Sequence, residues 1–558
     1  MTDSNIFIIK SKTIKYLLLI ALFFSFSNGI IKAQSSSIKY SIDISTDRSF
    51  YVVEDIVKFH ISVYNNDNTI EPRAYYVYCD LIGQNGVIQN SIKLQTIDGI
   101  GDSEISIPKH LKSGYYILRA YTREMRSNPA DYSYVSLKIV NIIEPDIIGS
   151  QDEFSLKMQL DSNIIDDVDY IKINNIKDTY KKRTSANCNI QFDISKFILP
   201  TVCISIVPKK SNSYNKLNIS KVSNYKVDKG LAYDEKEGIT LSGSLVNKNN
   251  SNSIIGKRVF VSIVGTKNVY TSITDSIGNF YVNLPNINDE HEMYISTDTI
   301  DKDAIILIHK DNDLRTDFWL DKEFKISKSE KKLALLISQG VAIQKNFGAN
   351  HREDNQKLDF ESFYDSPNET TVIMDFIDLP NLHMYFTELP SSVRLYKRGG
   401  DYQARILDKN GIQLLLNPLI MVDYVAVNDL KSVLDINPKS INRIEVVNEY
   451  YQKGDISFGG IINFISNNND FGGLEFKNSS LVINYSFLEN KNKSQKISLE
   501  GIPDSRTTLF FSSIPKLENG NANIQFQTSD MLGEFEVIVQ GIDNNGKRFV
   551  VKKGFKVE

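Results

Sequence analysis

The sequence predicts a mainly β fold: tandem β-sandwich domains plus one small α/β unit. Three observations predict it. Apolar runs are short, rich in Ile, Val, Tyr and Phe, and in places alternate with polar residues at the two-residue period of a strand. Asn, Asp, Gly and Ser punctuate those runs as turns. A helical period appears in only a few places. The chain has 558 residues, too many for one hydrophobic core and enough for about three to five domains.

The N-terminus has the three-part layout of a secretory signal peptide. Lys10, Lys12 and Lys15 precede the apolar run YLLLIALFFSF, and small or polar residues lead to Ala33 and Gln34. The run is shorter than the roughly 20 residues a membrane span needs. A signal peptide over 1–34 is expected, with an uncleaved anchor as the alternative. No cysteine lies near the end of the run, which argues against a lipid anchor. Export exposes Cys79, Cys188 and Cys203 to an oxidising compartment. Cys188 and Cys203 lie in neighbouring strand-like segments and are candidates for a disulfide. Three free buried thiols is the competing reading.

Residues 37–142 hold the runs IVKFHISVY, RAYYVYCDLIG, EISI, YYILRAY and SYVSLKIV, which fit an antiparallel sandwich of about seven strands. Residues 143–232 read as a second β domain and 233–325 as a third. Residues 326–390 read as a helical and linker segment. Within it, SKSEKKLALLISQGVAIQKN places Leu333, Leu336, Ile337 and Val341 on one helical face, with Ser327 and Glu330 as a capping box. The polar stretch 350–368 reads as a linker, and a second helix is expected from about Pro380 through Glu388. Residues 391–475 read as a compact α/β unit, and 476–558 as a C-terminal sandwich. Gly114 and Gly278 are expected at turns that need backbone freedom.

Specific segments resemble known families. Residues 47–128 resemble the macroglobulin-type sandwich of α-2-macroglobulins and many Gram-negative envelope proteins. The resemblance rests on Asp47-Arg48-Ser49-Phe50-Tyr51, Glu54-Asp55 and Ser113-Gly114-Tyr115-Tyr116. Val53-Glu54 stands where that family has Pro-Gly. Residues 238–310 resemble the carboxypeptidase regulatory-like sandwich through Thr274-Asp275-Ser276-Ile277-Gly278-Asn279-Phe280. Residues 416–466 resemble the plug domain of TonB-dependent receptors. The matching segments are Asn417-Pro418-Leu419-Ile420-Met421-Val422-Asp423, Ile441-Asn442-Arg443-Ile444-Glu445-Val446 and Phe458-Gly459-Gly460-Ile461-Ile462-Asn463. About 90 residues follow that unit, too few for a barrel of many ten-residue strands. The C-terminus resembles a further macroglobulin-like sandwich through Asp504-Ser505-Arg506 and Thr528-Ser529-Asp530, with Phe511 where a Trp is usual.

Catalytic signatures are missing from the sequence. The six histidines share no ligand spacing, and there is no HExxH or GxSxG. Gly541 to Lys547 fits GxxxxGK, but Arg548 follows where Ser or Thr must hold magnesium, so a hairpin turn is expected. Asp289-Glu290-His291-Glu292 reads as a solvated loop. Cys79, Cys188 and Cys203 precede Asp, Asn and Ile, so the macroglobulin Cys-Gln thioester is excluded. A net charge of −4 with interspersed cations gives no nucleic-acid footprint.

No catalytic residue, cofactor, metal or nucleotide is therefore expected. The resemblance implies a periplasmic or outer-membrane-associated binding or structural protein whose plug-like unit meets a barrel protein. A ligand-binding or adhesion protein and a non-covalent protease inhibitor are the alternatives, and a small-molecule ligand stays open. The mature protein should begin within a few residues of Ala33. Sequencing the N-terminus of the native protein checks this, and an intact Met1 would defeat it.

Overall fold

The structure, a computed structural model, describes residues 40–65, 67, 69, 73, 75–143, 156–160, 164–198, 201–213, 215–219, 232–298, 303–316, 318–320, 324–347, 362–389, 391–398, 401–474, 480–489, 503–513 and 520–558. The signal-peptide reading and most of the 350–368 linker lie outside them. The fold is mainly β, with sandwich domains and one α/β unit, as the strand periodicity predicts.

The first sandwich faces a three-stranded sheet, Tyr40–Thr46, Ile56–Asn65 and Ile100–Ser106, against a larger one. The larger sheet is built on Ile88–Gln95, Tyr76–Ile82, Gly114–Thr122 and Ser133–Val140. Beyond Ser133–Val140 it continues through Lys216–Ile219, Leu156–Leu160 and Phe318–Leu320. Strands from three distant stretches thus extend one sheet. Helix α1, Lys328–Phe347, closes this domain by packing Ala334 and Ile337 into its core. The capping box forms as expected: Glu330 accepts from the Ser327 N–H at 2.6 Å, and Ser327 Oγ accepts from the Glu330 N–H at 3.2 Å. Helix α1 is therefore part of the first sandwich and not a linker. At the departure Val53-Glu54, Glu54 has φ +65°, a conformation that favours glycine, and its carboxylate pairs with Lys345 of α1.

The second sandwich corrects two boundaries at once. Residues 143–232 and 476–558 do not form separate domains. Cys203–Pro208 lies between Gly533–Ile542 and Phe510–Ser513 in one sheet, and Ser185–Phe192 lies between Ile171–Asn174 and Asn521–Gln527 in the other. Ala186, Ile190 and Phe192 point inward from one side of the chain, and Ala522, Ile524 and Phe526 from the other. Each stretch holds too few strands to cover its own apolar face, and together they close a core.

The third sandwich sets Thr240–Asn247, Asn279–Asn283 and Ala304–Ile308 against Val269–Ile273, Arg258–Ile263 and Glu290–Thr297. Its fourth strand on that side, Ser480–Ser486, arrives from beyond the α/β unit and pairs with Glu290–Thr297. That strand too was expected in a C-terminal sandwich.

The α/β unit has a five-stranded mixed sheet in the order Glu369–Val372, Ile441–Val447, Ile461–Ser466, Leu419–Val422, Val425–Ala426. Leu419–Val422 and Ile461–Ser466 run parallel. Helix α2, Leu382–Glu388, is capped by Asn381, and α3, Leu430–Leu434, by Asp429. The unit begins before residue 391, because Glu369–Val372 is its edge strand. Phe363 and Tyr364, read as the end of a linker, are buried in it.

The two glycines differ. Gly278 has φ +80°, and a Cβ there would lie 2.9 Å from the Leu245 carbonyl oxygen. Gly114 opens the strand Gly114–Thr122 without a positive φ, and a Cβ there would make only ordinary contact with Gln84 at 3.5 Å. Gly278→Ala should therefore lower stability by more than about 1 kcal/mol, while Gly114→Ala should stay within about 0.5 kcal/mol. Thermal or urea unfolding of the full chain compares the two variants, and equal effects would place the turn elsewhere.

Candidate binding surfaces and the joints that carry them

Three joints connect the domains, and their chemistry differs. At the first, between sandwiches one and two, Asp43 accepts from Lys216 Nζ at 2.5 Å and from Arg548 at 2.7 Å. Burial works to raise the Asp43 carboxyl, but the two cations outweigh it and hold it well below the ordinary range. Nearby, Arg48 bridges Asp47 and Asp55 at 3.2 Å each, Tyr51 Oη donates to Asp47 at 2.7 Å, and Thr508 donates to Asp47 from the second sandwich. Asp47, Arg48 and Asp55 of the motif thus form a buried ionic seam, with Glu54 outside it. Residues far along the chain complete it.

The second joint holds sandwiches one and three. Arg123 pairs with Asp311 at 2.9 Å and Glu235 at 3.3 Å, and Lys93 pairs with Asp311 at 2.5 Å and donates to the Ser486 carbonyl at 2.6 Å. Asp80 and Arg119 form a second buried pair at 2.8 Å, and Arg119 also reaches the carbonyls of Asp313 and Arg315. A cleft of about 570 Å³ opens beside this joint, lined by Asn90, Lys93, Glu104, Asp289, Tyr485 and Glu489 among others.

The third joint is apolar. Leu419, Met421, Val447 and Ile461 on one face of the α/β sheet bury against Phe260 and Val269 of the third sandwich, with Phe363, Tyr364 and Phe458 between them. The edge strand Val425–Ala426 is closed by side chains: Ser262 Oγ accepts from the Ala426 N–H at 3.2 Å, and Ser296 Oγ donates to its carbonyl at 2.9 Å. The opposite face of the sheet packs Ile420, Val422, Ile444 and Phe464 against both helices and the hairpin Val393–Arg398 with Asp401–Ile406.

What stays exposed on this unit falls into two clusters. Met374 (83%) and Ile377 (81%), with Phe376, follow the edge strand at the end where Arg443 pairs with Val372. Leu415 (80%) and Ile412 (64%), with Leu416, Tyr396 and Tyr450, lie at the other end, where the Tyr450 hydroxyl accepts from the Leu415 N–H at 3.1 Å. The length of strand Ile441–Val447, about 20 Å, separates them. Sequence reading missed both clusters, because Met374, Phe376 and Ile377 scatter through a short irregular segment. The triplet Leu414-Leu415-Leu416 was the one visible signal, and only Leu414 of it is buried.

The disulfide expectation does not hold: Cys188 and Cys203 are both free and buried. Alternation along the strand is the reason. Ile204 and Ile206 share the second sandwich's core with Cys188, so Cys203 points from the other face of its strand, toward Ser45 of the first sandwich. Burial pushes the Cys188 thiol up to about 12 and those of Cys79 and Cys203 well above the ordinary range, so none is a ready nucleophile. Gly541 to Lys547 forms the hairpin turn expected: the Gly546 N–H donates to the Asp543 carbonyl and the Lys547 N–H to its carboxylate at 2.7 Å. His291 is tied to the Asn288 carbonyl at 2.8 Å, and His60 to Asp102 at 2.8 Å. Among the described residues, no three of His, Cys, Asp and Glu gather as metal ligands, and no helix is long and apolar enough to cross a membrane.

No protein-family model matches the chain, and no curated protein matches it. Solved structures do. Trypsin-activated α-2-macroglobulin from Escherichia coli aligns over 93% of this chain and 41% of its own, at 9% identity and a TM-score of 0.23. The native conformation of the same protein aligns over 94% and 40%, at 7% identity and a TM-score of 0.23. A CARDB domain from Pyrococcus furiosus, solved with di-metal ions, covers 18% of this chain and 93% of its own, at 10% identity and a TM-score of 0.14. The chain spans about two fifths of the length of the macroglobulins it matches. At these scores the reading of the chain rests on its own residues.

The second joint should respond to acid. Burial raises the Asp311 carboxyl, but Lys93 and Arg123 outweigh that and hold it down to about 2, below its ordinary 3.8. The ionised form then contributes about 2 kcal/mol, complete above pH 4 and lost as pH falls toward 2. Melting wild type beside Asp311→Asn from pH 6 to pH 2 should show the stability gap closing over that window. A gap that stays constant would sink the assignment.

Proposed function

We propose that the chain is a non-enzymatic binding protein of the Gram-negative envelope. The three joined sandwiches form a stiff mount, and the plug-like α/β unit presents a docking segment to a protein partner. The partner that suits a plug-like unit is an outer-membrane barrel protein. One observation carries the reading. Within the four residues 374–377, three large apolar side chains, Met374, Phe376 and Ile377, are exposed on a unit whose two sheet faces are covered by the chain itself. Apolar groups left out of a core after both faces are filled suit a protein contact.

The cleft beside Lys93 favours a second reading, capture of a small polar ligand, because its volume lies in the usual range for such sites. It ranks lower because Lys93 and Asp311 are bonded to each other and hold the joint. Protease inhibition has only the macroglobulin resemblance in its favour, and none of Cys79, Cys188 and Cys203 has the thioester's Gln at the required spacing.

The test is affinity purification of the tagged full-length chain from native outer membranes, with mass spectrometry. One barrel protein should be recovered with wild type, and Met374→Ser/Ile377→Ser should lower its recovery about tenfold or more. Both positions are exposed, so the variant should melt as wild type does. Recovery of no barrel protein with the intact chain, or undiminished recovery with the variant, rejects the proposal.

A further inference from the structure

The second exposed cluster has a different chemistry from the first. In the hairpin, Val393, Ala404 and Ile406 turn into the core of the α/β unit. The register pairs Arg394 with Arg405 and Tyr396 with Gln403, which puts these four on the outer face. After the turn at 408–412, Leu407 bridges to Gln413 and the Leu414 N–H donates to the Ile406 carbonyl at 2.8 Å. The chain therefore lies alongside as a short third strand. Leu414 enters the core with Ile406, and Leu415 comes to the outer face next to Arg405. Tyr396 Oη lies 3.1 Å from Gln413 Oε1, which joins the two sides of the face.

Two arginines directly opposed across a strand pair repel each other. Among the described residues no carboxylate pairs with either. Arg394 donates to the carbonyls of Ser391 and Val393, and Arg405 to the Ala404 carbonyl and the Asn417 side chain. Each guanidinium keeps donors in hand. Residues 391–416 carry Arg394, Lys397, Arg398, Arg405 and Lys409 against Asp401 and Asp408, in a chain whose net charge is −4. Asp408 is turned back on its own loop, accepting from the Asn410 and Ile412 N–H groups at 2.8 Å each. The face therefore combines local positive charge, two exposed tyrosines, and Ile412 and Leu415 projecting from its edge.

We propose that this face is a membrane-surface contact, with an anionic bilayer as its occupant. Ile412 and Leu415 enter the boundary between headgroups and acyl chains. Arg394, Arg405 and Lys409 pair with phosphate oxygens, and Tyr396 and Tyr450 occupy the interfacial layer. Charge complementarity selects an anionic surface. The choice of a bilayer over an acidic protein rests on shape and residue type. The apolar side chains project individually instead of lining a groove, and tyrosine beside arginine suits the interfacial layer. With few apolar groups and few cations, attachment is reversible. It would hold the unit against a membrane while the Met374–Ile377 end, about 20 Å away, remains available.

The experiment uses the full mature chain and vesicles of phosphatidylethanolamine with phosphatidylglycerol, beside vesicles of phosphatidylcholine alone. The chain should sediment with the anionic vesicles, and less so as salt rises. Arg394→Gln/Arg405→Gln should weaken binding about thirtyfold, and Ile412→Ser/Leu415→Ser should weaken it about tenfold or more. Leu415→Trp should be quenched by lipids brominated on their acyl chains. Met374→Ser/Ile377→Ser should bind vesicles as wild type does, which keeps this result separate from barrel recovery. Failure to sediment with anionic vesicles, or indifference to both variant pairs, overturns the proposal. So does a loss of vesicle binding in Met374→Ser/Ile377→Ser. A Leu415→Trp signal that stays unquenched while the arginine pair still matters assigns the face to an acidic protein and also overturns it.

Discussion

The structure depends on one strand pairing made across most of the chain. Cys203–Pro208 sits between Gly533–Ile542 and Phe510–Ser513, and Asn189 reaches Asn523, 334 residues away. Everything between those strands is, topologically, an insertion into the second sandwich. Closing such a loop costs roughly 5 kcal/mol in chain statistics alone. Two complementary apolar faces must offset that cost, and they do so only when both stretches are present. The third sandwich repeats the device on a smaller scale: Ser480–Ser486 crosses back from beyond the α/β unit to pair with Glu290–Thr297. Successive domains are therefore laced through one another, which ties their relative placement to strand pairing as well as to surface contact.

The joints divide the remaining work by chemistry. The two between sandwiches are ionic and buried: Arg548 pairs with Asp43 across the first, and Arg123 pairs with Asp311 and Glu235 across the second. A buried pair of this kind is weak evidence for net stability, because desolvation opposes the attraction. What it does impose is register: Arg123 without Asp311 and Glu235 is an uncompensated buried charge, so a misplaced third sandwich is strongly disfavoured. The joint to the α/β unit works in the opposite way. Phe260, Val269, Met421 and Ile461 supply area with little directionality, and direction comes from the two serines that bond both polar groups of Ala426.

The sequence carried the elements better than their grouping. The capping box at Ser327 and Glu330, the turn at Gly278, the helix through Glu388 and the GxxxxGK hairpin could all be read, because each is decided within a few residues. The Asp47-Arg48 motif was visible too, though its completion by Thr508 was not. Domain boundaries failed where a strand's partner is remote. Ser185–Phe192 alternates as a strand should, but nothing local says that its neighbour is Asn521–Gln527. The same limit produced the disulfide expectation. Cys188 and Cys203 are close in sequence and both buried, yet the parity of the second strand turns one thiol into the core and the other toward the neighbouring sandwich.

That lacing also bears on how the sheet of the α/β unit is covered. A sheet with one apolar face uncovered would be costly in solution. Here one face carries both helices and the hairpin, and the other is roofed by the third sandwich. Ser480–Ser486, the strand that follows the unit, returns to the same sandwich that roofs it. The unit is thus fixed at its face and tied by the chain beyond it. What remains apolar is confined to the sheet's two ends, Met374–Ile377 and the 412–416 loop. This arrangement leaves two small exposed patches of different character, one apolar and one apolar within a basic surround. Any surface the unit offers to another molecule therefore lies at the ends of its sheet and not on its faces.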